Sequence, residues 1–225
     1  MVPIRRLFIL ALGCAALASC KERPPTFEEI VASGYEALAA GEPGEAEKRF
    51  ESALIAPMAE KGSLRPRVVA RGLTATARAY ELEQEHEPAK RALNRALEVA
   101  EEAIGTDPAQ TAQTLDVLAD VYESEGDFAK ALDARERQAA AFTRAYGQHH
   151  PAVARTMERI VALYRGRGEP QKAELMLRKI LDLRESSLGG EHPLVLKTLI
   201  DLAAVLRDVD NPEEATRVSA RVQRT

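Results

Sequence analysis

Marker residues recur every 42 positions along most of this 225-residue chain. Gly105, Gly147 and Gly189 are 42 apart, as are Pro151 and Pro193, and Pro170 and Pro212. Ala46, Ala89, Ala131, Ala173 and Ala215 carry the series through five units with one slip of a single residue. A fixed period of this length means stacked supersecondary units rather than one closed core, because each unit buries its apolar face only against its neighbours.

Each unit reads as two amphipathic helices. Leu115, Leu118, Ala119 and Tyr122 fall at i, i+3, i+4, i+7 on one helical face. Gly126-Asp127 follows as a turn, and Ala131 heads a second helix ending near Tyr146. Gly147 stops that helix, since glycine enters the left-handed cap conformation without a steric penalty. His150-Pro151 starts the next pair, with proline in the first turn, where its missing N–H costs nothing. Gly41-Glu42-Pro43, Gly168-Glu169-Pro170 and Asn211-Pro212 repeat that start at second helices. Hydrophobic residues make up 45% of the chain but aromatics only 4%, with no Trp. Alanine and leucine therefore fill the space, which suits closely packed helices.

These residues resemble the tetratricopeptide repeat. That family places a small residue after a large one in the first helix, an aromatic three residues on, a turn glycine, and alanine at two positions of the second helix. Unit one offers Gly34, Gly41, Ala46, Phe50 and Ala53; unit two offers Leu73, Ala77, Tyr80, Ala89, Leu93 and Ala96. Leu118, Ala119, Tyr122, Gly126 and Ala131 carry unit three, Ile160, Tyr164, Gly168, Ala173 and Leu177 unit four, and Leu202, Ala203, Leu206 and Ala215 unit five. The spacing exceeds the usual ~34. With Gly147-Gln148-His149-His150-Pro151 and Gly189-Gly190-Glu191-His192-Pro193, it is similar to the kinesin-light-chain type of this repeat. The chain departs from the pattern at Gln84, where a turn glycine is expected, at Gly105-Thr106-Asp107-Pro108, which has no histidine, and at Val161, in a small-residue position.

The resemblance implies an all-α fold, a right-handed α-solenoid of about five hairpins over residues 27–225, with units near 27–60, 70–103, 112–145, 154–187 and 196–225. Such a stack leaves an extended concave surface and needs a polar terminal cap, which the last helix, with Arg217, Arg221 and Arg224, is expected to provide. In this family the groove is lined by first helices. Carried over position by position, the groove residues are Tyr35 and Leu38; Arg71, Thr74 and Arg78; Gln113, Asp116 and Asp120; Arg155 and Glu158; and Lys197 and Asp201. Arg71 with Arg78, and Asp116 with Asp120, are expected to form neighbouring stripes of opposite sign that hold an extended or helical peptide of mixed charge.

The first nineteen residues read as an address. Arg5 and Arg6 precede Leu7 to Ala18, an uncharged run too short to cross a ~30 Å hydrocarbon core comfortably, the pattern of a signal peptide. Leu17-Ala18-Ser19-Cys20 resembles the bacterial lipobox. That resemblance implies diacylglycerol on the Cys20 thiol, cleavage before Cys20 and acylation of the new amino terminus. Lys21, in place of Asp, leans toward the outer membrane by the same resemblance. Residues 20–26 form a short linker whose Pro24-Pro25 favours an extended chain, so the folded part is expected close to the bilayer. The other cysteine, Cys14, would leave with the signal peptide, so helix packing rather than a disulfide must supply stability.

Little chemistry is written into the chain. Lys+Arg number 31 and Asp+Glu 35; without Arg5 and Arg6 the balance is 29 against 35, or −6. Nucleic acid wants clustered positive charge instead. A metal site would have to recruit His149, His150 and His192, yet the two His-Pro pairs sit a full unit apart, roughly 10 Å along the stack, whereas zinc needs ligands at about 2.0–2.3 Å. Neither a Gly-x-Ser-x-Gly elbow nor a phosphate-cradling Gly-rich loop occurs. No cofactor and no catalytic activity are implied. The reading is a membrane-anchored scaffold lipoprotein of the bacterial envelope that binds a protein or peptide partner. Self-association through the ends of the rod and an accessory role to an envelope enzyme are the alternatives.

Overall fold

The computed structural model describes residues 23–56, 65–102 and 107–223. Among them are ten α-helices and no strands: α1 (Phe27–Ala39), α2 (Pro43–Ala53), α3 (Arg65–Leu82), α4 (His86–Glu102), α5 (Pro108–Ser124), α6 (Phe128–Tyr146), α7 (Pro151–Gly166), α8 (Pro170–Leu188), α9 (Pro193–Asp208) and α10 (Pro212–Gln223). Consecutive helices pair as hairpins, and each second helix packs on the first helix of the next pair. This is the all-α solenoid of five hairpins expected from the repeat.

The five alanines that mark the period are all buried at the hairpin interfaces, where only a small side chain lets two helices approach. Around them Phe50, Leu73, Leu93, Leu115, Leu177 and Leu202 fill the core. It divides into separate clusters along the rod, as quasi-one-dimensional packing requires.

Four of the five hairpins start ahead of the expected units. First helices begin at Arg65, Pro108, Pro151 and Pro193, ahead of 70, 112, 154 and 196, and second helices run to Tyr146 and Leu188. Their ends are fixed locally. Asp107, His150 and His192 cap α5, α7 and α9 ahead of a proline in the first turn. Thr26 and Glu29 close a capping box on α1, the Thr26 hydroxyl accepting from Glu29 N at 3.3 Å and the Glu29 carboxylate from Thr26 N at 2.9 Å. Gly147 and Gly189 end α6 and α8 as expected, but not in the left-handed helical conformation. At φ 87°, ψ 160° and φ 84°, ψ 157°, they occupy a region open almost only to glycine.

Spacing of the first helices positions the groove. α1 packs on α3 and α3 on α5, but α7 makes no comparable packing with α5 or α9. The concave face is therefore closed in the N-terminal half of the rod and open on both sides of α7.

Candidate functional site

Two clefts flank α7. The first, of 370 Å³, lies toward α5 and α6 and is lined by Asp116, Asp120, Arg135, Phe142, Arg155 and Arg159 among others. The second, of 560 Å³, lies toward α9 over the end of α8. Pro151, Ala154, Leu183, Leu188 and Leu194 form its apolar walls, with Arg155, Glu158, Lys197 and three histidines around them. Arg155 lines both clefts, so the two adjoin along α7.

Five of the residues expected from the repeat come together here: Asp116, Asp120, Arg155, Glu158 and Lys197. Asp201 joins through Lys197, whose ammonium reaches Asp201 at 3.2 Å and Glu158 at 2.9 Å. Tyr35, 39% exposed, stands edge-on to Phe50 with ring centroids 5.1 Å apart, well away from the clefts. Leu38 packs against the N-terminal core. Arg71 and Arg78 are exposed, make no ion pair among the described residues and line neither cleft. Thr74 is not a groove residue. It is buried, its hydroxyl donating to Ala70 O at 2.7 Å and meeting Thr114 Oγ1 at 2.9 Å.

The expected open stripe of aspartates is also corrected. Asp116 and Asp120 both pair with Arg135, whose guanidinium is 1% exposed and also donates to Glu123 at 2.9 Å and Gln138 at 3.1 Å. Asp120 further accepts from Arg159 at 2.6 Å, linking α5 to α7. Burial alone would lower the Arg135 pKa. The Glu123 hydrogen bond and the charges of Asp120 and Asp116 more than offset it, so the net direction is up. A second network follows along the groove. Arg184, buried in α8, donates to Glu158 at 3.0 Å and Thr198 at 2.8 Å. Burial works to raise the Glu158 carboxyl, but the Arg184 and Lys197 hydrogen bonds win and hold it below the ordinary range.

Matching by family model covers residues 68–137 and 110–186, together just over half of the chain, with the tetratricopeptide repeat. The chain belongs to the tetratricopeptide-repeat family. The solved structures similar to it show the same fold. BtubC (BKLC) from P. vanneervenii matches at 20% identity and TM-score 0.61, over 88% of this chain and 78% of that one. A putative kinesin light chain with nearly identical TPR-like repeats from Podosopora anserina matches at 18% and 0.59, over 88% and 93%. The apo form of RapI matches at 18% and 0.58, over 88% and 69%. No curated protein matches the chain in sequence.

In tetratricopeptide terms the groove is lined by the first helices of units three to five. The charges that organise it, Arg135 and Arg184, come from second helices. Sequence reasoning passed over both, although a signal existed: Asp116, Asp120 and Glu123 fall at i, i+4, i+7 on one face, and three acids on one stripe need a buried counter-charge. Thr114, Thr156 and Thr198, each 42 apart and each donating to the carbonyl four residues back, are a second periodic mark. Cys20 lies outside the described residues.

Proposed function

We propose that this tetratricopeptide protein is a lipid-anchored scaffold of the bacterial envelope that holds a peptide segment of a protein partner in the groove along α7. The observation that carries the groove reading is Arg155. It stands at the junction of a polar and an apolar cleft, exposed, with no ion pair among the described residues, while the neighbouring Asp116, Asp120, Glu158 and Lys197 are each already held in an ion pair. A free cation beside apolar walls fits a segment with an aliphatic anchor and a carboxylate. The lipobox-like Leu17-Ala18-Ser19-Cys20 supports anchoring, and a site with two or more acyl chains would hold the rod stably at a membrane. The Lys21 lean makes the outer membrane, facing the periplasm, the proposed location.

Crosslinking and pull-down from native membranes with wild type, Cys20→Ala and Arg155→Glu test the two parts separately. The reading expects a discrete partner retained by wild type and lost with Arg155→Glu, and loss of membrane association with Cys20→Ala. A partner indifferent to Arg155→Glu removes the groove from the proposal; membrane association indifferent to Cys20→Ala removes the anchor. Self-association is the competing reading. It is favoured by Ile200, 56% exposed on the last first-helix, where earlier units carry Asp116 and Glu158. Light scattering of wild type against Ile200→Asp separates it.

A further inference from the structure

The two halves of the rod join their first helices in different ways. α1 packs on α3 and α3 on α5. Ala77 and Tyr80 of α3 share a buried cluster with Leu115 and Val121 of α5, and Thr74 meets Thr114 hydroxyl to hydroxyl at 2.9 Å. α7 has no comparable seam with α5 or α9. Thr156, 42 residues after Thr114 and also buried, donates to Ala152 O at 3.0 Å and lines the 370 Å³ cleft. On the other side of α7 the 560 Å³ cleft adjoins two smaller openings, of 170 and 460 Å³, that follow α7 and α9 as far as Gly168 and Asp208.

Ion pairs span these gaps. Toward α5, Arg159 reaches Asp120 at 2.6 Å and Glu123 at 3.8 Å. Between α7 and α9, Lys197 reaches Glu158 at 2.9 Å and Arg165 reaches Asp208 at 3.3 Å. Arg159, Asp120, Arg165, Asp208 and Lys197 are each half-exposed. Their attraction is therefore screened by salt, whose reach shrinks from about 10 Å at 0.1 M to about 3 Å at 1 M. Arg184 of α8 is buried and donates to both Glu158 of α7 and Thr198 of α9. It pins the two helices near mid-length, so the gap opens most readily at their far ends, where Arg165 faces Asp208. We infer that α7 and α9 form a salt-sensitive jaw: exposed ion pairs rather than close packing set their spacing from α5 and from each other, and the groove widens when those pairs are screened. The wall of α1, α3 and α5 keeps its spacing. Opening enlarges the space for a segment lying in the groove. None of these pairs includes Arg155, so the jaw does not rest on what the groove binds.

Pulsed electron resonance between two nitroxides measures the jaw in the full-length protein. The labels are attached to genetically encoded ketone side chains, which leaves Cys14 and Cys20 out of the chemistry. One pair, at Ser124 and Arg207, reports α5 to α9 across α7; the other, at Ala39 and Ser124, reports α1 to α5. These sites are exposed and lie in the last turns of first helices. Each pair spans two hairpins, roughly 20 Å at about 10 Å per packed helix. Between about 0.05 M and about 1 M sodium chloride, the Ser124–Arg207 separation is expected to lengthen by about 2 Å or more, the scale of helix shifts at interfaces. The Ala39–Ser124 separation is expected to stay constant. Equal responses of the two pairs, or no response between Ser124 and Arg207, overturn the jaw. The triple variant Arg159→Gln, Arg165→Gln, Lys197→Gln should show the wide spacing already at low salt, and a narrow spacing there also overturns it. If that variant folds poorly, the wild-type salt titration decides alone.

Discussion

Asp120 and Arg135, on the two helices of one hairpin, form an ion pair in which the guanidinium is buried and the carboxylate is half open to solvent. The asymmetry sets what each side chain contributes. Asp120→Asn leaves Arg135 paired with Asp116 and Glu123 and should change stability by less than about 1 kcal/mol. Arg135→Met strands three carboxylates and Gln138 around an apolar chain. Breaking a fully buried pair costs about 3–5 kcal/mol; here the carboxylates retain some water, so about 2–3 kcal/mol is expected. Urea denaturation of the two variants checks the order, and equal effects would contradict it.

Glu158 gives the groove a measurable acid dependence. Its carboxyl is held below the ordinary value of 4.5 by Arg184 and Lys197 despite burial. A lowered carboxyl pKa contributes stability that is fully present above the unfolded value and is lost as pH falls through the folded one. The stability difference between wild type and Glu158→Gln should therefore be flat from pH 8 to 5 and shrink below about pH 4.5. Denaturation curves at pH 7 and pH 3.5 measure it; a difference that grows on acidification would reverse the assigned sign.

The period showed the hairpins, the buried alanines and the placement of prolines at helix starts, because those follow from backbone geometry and helix–helix distance, which repeat with the chain. Five of the residues carried over from the family resemblance line the clefts beside α7, since first helices recur in one orientation. What stayed hidden was long-range and aperiodic. Arg135 and Arg184 are 49 apart, out of step with the 42-residue repeat, and in sequence look like ordinary solvated positions on charged helices. Nor could periodicity show that α7 stands off from α5 and α9, because that depends on the side chains packed between hairpins rather than on the marker residues.

Gln84 tests how far the turn itself dictates its residue. Positions 41, 84, 126, 168 and 210 all have positive φ: 76°, 60°, 78°, 70° and 57°. Three are glycine; Gln84 and Asp210 hold the same backbone against the Cβ penalty of about 1–2 kcal/mol. Gln84→Gly should stabilise the protein by about 0.5–1 kcal/mol once glycine's greater unfolded-state freedom is subtracted. Asp210→Gly should gain less, because aspartate tolerates this region through local hydrogen bonding. Chemical denaturation of both variants gives the ranking; destabilisation by Gln84→Gly would mean that the glutamine side chain, and not the backbone, holds the turn.

Gly72 presses directly on the ring of Phe50, and a Cβ there would lie 2.4 Å from Cδ1 and 2.5 Å from Cε1. Gly34 lies against the same ring from α1, at 2.9 Å from Cε1 and Cζ. The buried phenyl thus occupies space that two first helices leave by omitting side chains. Replacing glycine by alanine inside a helix ordinarily gains about 1 kcal/mol. At Gly72 the sign should reverse, with Gly72→Ala destabilising by about 1–3 kcal/mol as the ring is forced out of its rotamer. Phe50→Leu alone should also destabilise, but adding it to Gly72→Ala should restore much of the loss, since the smaller side chain vacates the contested volume. A double-mutant cycle by denaturation measures that coupling; strictly additive effects would show that the ring and the glycine do not share the space.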